Sequence, residues 1–290
     1  MKNNINFTIQ IFILISSFFL FIIKLIAWYF TNSLSILSDA LESIVNIVSA
    51  IIGLICLYIS NFPIDINHPN GYGKIEYISS FLEGIFIFIT GIIILFESLT
   101  RFFYTFKIIN INYGILFIIF TSIFNYILGF ISIKYGHKNN SMILISSGKH
   151  LITDTYSSIG VTISLILINI TKVTYIDLII SFIYGSIIIN TGYQIIRKSI
   201  SYIIDETNYT LLTKLKTIIN NITKNNKNLL IDNIKIINYG NRLHVDCIIY
   251  LRYNINSKEL ICETKNILKK IKINFKEEID FFFNIILLEK

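Results

Sequence analysis

LISSGKHLITDTYSSIGVTISLILINI, residues 144–170, is long enough to cross a bilayer as a helix, yet it carries His150 and Asp154 in its first half. Spanning the hydrocarbon takes about 20 predominantly apolar residues. The pair is four apart, so on a helix both side chains stand on one face, one turn above the other. Ionisable groups inside a membrane cost about 2.5–3.5 kcal/mol each on insertion scales, so they face one another or a watery cavity. The stretch therefore reads as a membrane helix with a built-in polar site.

Working outward, apolar runs of similar length occur at 7–30, 33–60, 78–100, 111–135 and 173–196, which with 144–170 predicts a membrane domain of six helices over 1–200. The breaks between them are short and polar, and both prolines, Pro63 and Pro69, fall in NFPIDINHPNGYGK (61–74), as expected of a turn. Of the 290 residues 53% are hydrophobic and 15% charged. A soluble protein averages about 25% charged, so lipid is the expected solvent. The first run carries Lys24, is too long for a signal peptide and has no A-x-A site after it, so it reads as a retained helix.

The formal charge of +7 does not indicate nucleic acid, because basic residues flank apolar runs instead of clustering with aromatics on a soluble face. With six spans both termini share a side. That side holds Lys2, Lys74, Lys134, Lys138, Lys149, Arg197 and Lys198, against Arg101, Lys107 and Lys172 on the other. The positive-inside rule then places both termini in the cytoplasm. Cys56, Cys247 and Cys262 form no CxxC pair, so neither a disulfide framework nor a cysteine zinc site is expected.

Beyond residue 200 the runs are too short to span. A helix is expected at 210–222, strands at 233–240 and 242–251, an amphipathic helix at 257–271 with Ser257 as N-cap, and a closing strand at 278–289. The fold class is thus an α-helical membrane protein with six transmembrane helices followed by a small α+β (α-β-β-α-β) cytoplasmic domain over 201–290.

The second span, SLSILSDALESIVNIVSA (33–50), offers Asp39, Glu42 and Asn46, of which Glu42 and Asn46 are again four apart. Two adjoining helices would bring Glu42, Asn46, His150 and Asp154 together, which is about the set that tetrahedral coordination of a divalent cation needs. Each pair also has a plainer reading, as a helix-packing contact or a self-satisfied His–Asp pair. No HExxH or nucleophile–base arrangement accompanies them, so an enzyme is not expected.

SLSILSDALESIVN (33–46) resembles the second span of the cation diffusion facilitator family, and HLITD (150–154) resembles the H-x-x-x-D pair of its fifth span. NHPNGYGKIEYIS (67–79) is similar to that family's DHPFGHGK loop followed by an acidic residue, here Glu76, and SISYIIDE (199–206) to the stretch leaving its sixth span. The resemblance implies a divalent metal/proton antiporter acting in export. It implies a homodimer formed through the tail and residence in a bacterial-type inner (plasma) membrane, with no cofactor. The implied transport ligands are Glu42, Asn46, His150 and Asp154. Asn46 departs from the family's aspartate and replaces an anion with a neutral amide. Mixed N/O ligands suit Zn²⁺ first, and also Fe²⁺, Co²⁺ or Mn²⁺, while the lack of thiolate disfavours Cu(I).

The resemblance also implies a loop metal site at Asp65 and His68, although its second histidine position is Tyr72, a poor divalent ligand. It further implies a charge contact of Lys74 with Asp205 that ties membrane part to tail. In the tail His244 and Asp246 alternate on one strand face, as surface residues or as metal ligands. Two other readings stand beside transport: a family member that has lost transport and serves as a membrane scaffold, and a passive cation channel.

Overall fold

The computed structural model describes residues 2–31, 34–103, 111–171, 175–223, 229–240, 242–251, 265 and 278–287. Six long helices come first: α1 Lys2–Thr31, α2 Leu34–Ser60, α3 Ile75–Phe103, α4 Ile111–Asn139, α5 Met142–Thr171 and α6 Tyr175–Ile203. A shorter helix and three strands follow: α7 Tyr209–Thr223, β1 Leu229–Asn238, β2 Arg242–Leu251 and β3 Glu278–Leu287. The chain divides into two compact units, one of residues 1–63 and 75–200, the other of 64–74 and 201–290.

In the first unit the outside is apolar and the inside is polar. Phe12, Phe18 and Phe19 of α1, Ile55 of α2 and Ile93 and Phe96 of α3 are exposed, whereas Gln10, Ser49, Glu83, Ser146, His150 and Asp154 are buried. Water would reverse this arrangement, and hydrocarbon favours it. Among the described residues four helices are long and apolar enough to cross a membrane, over Ile5–Ile26, Ser43–Ser60, Ile75–Phe96 and Phe117–Asn139. α5 and α6 are as long, at 30 and 29 residues. α5 carries Lys149, His150, Asp154 and a run of hydroxyls, and residues 141–148 are buried throughout. That polar load lies on the protein-facing part of α5, while Tyr156, Ile159 and Ile163 of the same helix are exposed.

Small residues let the helices touch. A Cβ on Gly129 of α4 would lie 2.8 Å from the carbonyl oxygen of Gly148 of α5, and one on Gly192 of α6 would lie 3.0 Å from that of Gly84 of α3. Such backbone approach replaces the missing hydrophobic drive between helices in lipid. α3 also meets α5 through polar side chains, Ser146 and Ser147 of α5 donating to Glu83 of α3.

The structure moves one sequence-based boundary. KYGHKNNS (134–141) was expected to break the helices, but α4 continues to Asn139 and only Asn140 and Ser141 separate it from α5. Asn140 makes the turn at φ 56°, a left-handed conformation that asparagine tolerates better than most residues. Ser141 and the α5 N-terminus are then satisfied from another helix. The buried Glu76 carboxylate accepts the Ser141 hydroxyl at 2.9 Å and the backbone N–H groups of Met142 and Ile143. A carboxylate there complements the free donors and the positive end of the helix dipole.

In the second unit Asn208 caps α7, its Oδ1 accepting the N–H groups of Thr210 and Leu211. Leu215 and Ile219 of α7 pack with Ile234 and Ile236 of β1 and Leu243, Val245 and Cys247 of β2. The apolar residues alternate along both strands, so one sheet face is buried under the helix. The order is β1-β2-β3, with β1 antiparallel and β3 parallel to β2. β1 begins four residues before the expected 233, and its register shifts between Asp232 and Lys235. Asp-Asn at 232–233 is poor strand sequence, and a bulge carries the strand past it. Parallel pairing of β2 with β3 needs a crossover of about a dozen residues or more. The helix expected at 257–271, with Cys262, lies outside the described residues apart from Lys265, which is helical.

Candidate metal transport site

Three helices of the first unit converge on His150. On α5, Ser147, His150 and Asp154 follow at spacings of three and four, so they share a face. His150 and Asp154 are only 4% and 7% exposed. His150 Nε2 lies 3.9 Å from Asp154 Oδ1. From α2, Asn46 Nδ2 donates to Asp154 Oδ2 at 2.5 Å. Among the described residues Asn46 Oδ1 is buried with no hydrogen-bond donor, and so is Oδ1's counterpart on the nearby helix, Gln10 Oε1. Three of the four residues expected to form the transport site are thereby brought together. The side chain of the fourth, Glu42, and that of Asp39, lie outside those described.

α3 adds a residue that the sequence reading did not select. Glu83, 4% exposed, places Oε1 3.6 Å from His150 Nδ1, the ring nitrogen opposite the one facing Asp154. Ser49 of α2 donates to Glu83 Oε1 at 3.1 Å, and Ser147 of α5 to Oε2 at 3.2 Å. Ser146 also donates to Oε2. The signal for Glu83 was present: a carboxylate deep in FLEGIFIFITG (81–91), two helical turns beyond Glu76 on the same face. It went unread because no ionisable partner stands four residues from it.

Among the described residues no three His, Cys, Asp or Glu form a ready-made metal cage. The geometry explains this: Glu83 and Asp154 sit on opposite sides of the His150 ring, not around one point. Two narrow crevices adjoin the ring. One is lined by Asn46, Glu83, Ser147 and His150, the other by Thr90, His150, Asp154 and Ser157.

Lys24 of α1 is buried and donates to Ser43 of α2 at 2.8 Å.

The loop residues belong to the second unit. Asp65 Oδ1 accepts the His68 backbone N–H at 2.6 Å and lies 3.0 Å from His68 Nδ1, while Oδ2 accepts the Tyr72 hydroxyl at 2.6 Å. The Tyr72 hydroxyl, with the His68 N–H and ring, holds the Asp65 carboxyl below the usual carboxylate range. The tyrosine that stands at the second histidine position thus occupies an acceptor that a metal would need.

Lys74 Nζ lies 2.8 Å from Asp205 Oδ2 and 5.1 Å from the centre of the Tyr239 ring. Gly73 is pressed so tightly against the β1–β2 turn that a Cβ there would lie 1.8 Å from the Tyr239 carbonyl oxygen. His244 and Asp246 bond each other at 3.0 Å, and the His244 ring stacks on Phe282 of β3.

Residues 9–204 match the cation efflux transmembrane domain family. The chain belongs to the cation efflux family. An uncharacterized transporter of Synechocystis sp. is 35% identical over 185 residues, 64% of this chain and 60% of that protein. The cadmium, cobalt and zinc/H⁺–K⁺ antiporter of Bacillus subtilis is 26% identical over 197 residues, 68% of this chain and 62% of the relative. The manganese efflux system protein MneS of the same organism is 25% identical over 260 residues, 88% of this chain and 86% of the relative. The chain thus spans less than two thirds of the first and second of these relatives and most of the third. The family is one of membrane transporters, as the reading of the motifs expected.

Proposed function

We propose that the chain moves a divalent metal cation out of the cytoplasm in exchange for protons, through a site between α2 and α5 built from Asn46, His150 and Asp154 with Glu42. The observation that carries this reading is the Asn46–Asp154 contact beside a buried imidazole, with Asn46 Oδ1 left as an acceptor lacking a donor among the described residues. Buried polar atoms are hydrogen-bonded as a rule, so an unmatched acceptor beside a carboxylate and an imidazole suits a cation that comes and goes.

Metal ligands bind in their deprotonated forms, so metal entry releases protons and proton entry releases metal. Rocking of the helices about a fixed site gives alternating access. The cargo set is Zn²⁺, Fe²⁺, Co²⁺ or Mn²⁺, with Zn²⁺ favoured by a compact mixed N/O set. Relatives named for cadmium, cobalt and zinc or for manganese are consistent with that set.

In the same reading all six long helices span the membrane, residues 1–200 form the transport domain, and residues 201–290 form a cytoplasmic domain that pairs two copies. Both termini are cytoplasmic. Lys74 and Asp205 brace the loop against the tail. The loop pair Asp65 and His68 is given no part in transport, because Tyr72 already holds Asp65.

The test is metal accumulation in inverted vesicles. Asp154→Ala should abolish it while the protein still assembles as a dimer; retained accumulation would sink the site assignment. Flux that ignores an imposed proton gradient would favour a channel.

A further inference from the structure

Asn46 puts a neutral amide where an anion would help hold a divalent ion, and Glu83 brings an anion from a third helix to the far side of the same imidazole. We propose that Glu83 is the positioning residue for His150: it receives the Nδ1–H, fixes the ring tautomer, and leaves the Nε2 lone pair facing Asp154 for the metal. This inference rests on the transport site proposed above and adds to it.

Four observations support it. First, the two nitrogens of one ring face two different carboxylates, Glu83 at 3.6 Å and Asp154 at 3.9 Å. An imidazole that binds metal through one nitrogen commonly donates its other N–H to a carboxylate, which orients the ring and strengthens it as a ligand. Second, the 3.6 Å separation is slightly longer than a hydrogen bond, as such contacts often are before the ligand is in place. Third, Glu83 is held rigidly. Ser49, Ser146 and Ser147 all donate to it, from two helices, and it is 4% exposed. A carboxylate can only accept, and hydroxyls and an imidazole N–H are the partners it needs. Fourth, the placement is a product of packing. Gly84, the next residue, lets α3 approach α6 so closely that a Cβ there would sit 3.0 Å from the Ile196 backbone nitrogen.

A direct ligand role for Glu83 fits less well. Glu83 and Asp154 approach different nitrogens of the ring, so an ion on Nε2 has Asp154 beside it and Glu83 at the other nitrogen.

The tautomer is observable without metal. In detergent-solubilised full-length protein labelled with ¹⁵N-histidine, the four histidines are assigned by single variants at His68, His137 and His244. His150 should be protonated at Nδ1 in the wild type, and Glu83→Gln should weaken that preference. Zn²⁺ or Mn²⁺ alone should then bind Glu83→Gln about 10–100-fold more weakly than wild type, with the ligands intact.

An Nε2-protonated His150 in the wild type would overturn the inference, and that result stands even if Glu83→Gln does not fold. Wild-type tautomer and metal affinity in a folded Glu83→Gln would overturn it equally. Metal binding that survives His150→Ala/Asp154→Ala would instead remove the transport site itself, and the inference with it. The two failures are therefore told apart.

Discussion

Asn46 Nδ2 donates to Asp154 Oδ2 across 2.5 Å, joining residues 108 positions apart on α2 and α5. The amide saturates one oxygen of the carboxylate without adding charge. The site therefore holds less negative charge than one with an aspartate at 46.

Asn46→Asp should tighten Zn²⁺ or Mn²⁺ binding about tenfold, equivalent to about 1.4 kcal/mol. The added carboxylate is repelled by Asp154 until a cation separates them. Isothermal titration of the purified protein measures this. Unchanged affinity would mean that residue 46 does not face the ion.

Glu76 should matter to stability and not to metal. Its carboxylate satisfies the Ser141 hydroxyl and two backbone N–H groups at the start of α5. Glu76→Ala leaves those buried donors without an acceptor, at a cost of about 1–3 kcal/mol. Thermal unfolding in detergent should show a lowered midpoint, while metal affinity of the folded fraction stays within about twofold, since 1.4 kcal/mol is tenfold.

At Asp205 charge and backbone can be separated. The Lys74–Asp205 pair is about a third exposed on each side, and pairs of that kind contribute about 1 kcal/mol or less. Asp205 also adopts φ 58°, which asparagine tolerates and alanine does not. Asp205→Asn should therefore cost less stability than Asp205→Ala, by chemical unfolding of the full chain. Equal losses would place the whole effect in the charge.

Cys247 gives a pH prediction. Burial, with a smaller push from Asp246, raises its thiol from 9.0 to about 12. Between those values the folded state keeps a proton that the unfolded state releases, so this contribution to stability is full below pH 9 and is lost as pH rises toward 12. At pH 8 the native thiol should resist maleimide, which needs thiolate, and react only after unfolding. Rapid native labelling would contradict the buried placement on β2.

Much of this was legible in the sequence because one physical rule governed it. Long uncharged runs gave the long helices, since lipid leaves no other place for them. His150 and Asp154 were legible because they share a helix, and their spacing fixes their relation. Glu83 was not, because its relation to His150 runs across two helices, which spacing along one chain segment does not encode. The early start of β1 was hidden for a different reason: Asp232 and Asn233 interrupt the alternation, and a bulge restores it. Asn140 was misread with its polar neighbours as a wide break, although only a two-residue turn was needed.

The most direct measurement is proton movement across proteoliposomes on adding Zn²⁺, Fe²⁺, Co²⁺ or Mn²⁺ separately, beside a His150→Ala/Asp154→Ala control. Proton flux with at least one metal, lost in the control, is the predicted result. No flux with any of them, from protein shown to be folded and dimeric, would contradict metal–proton exchange and leave the non-transporting scaffold as the better reading.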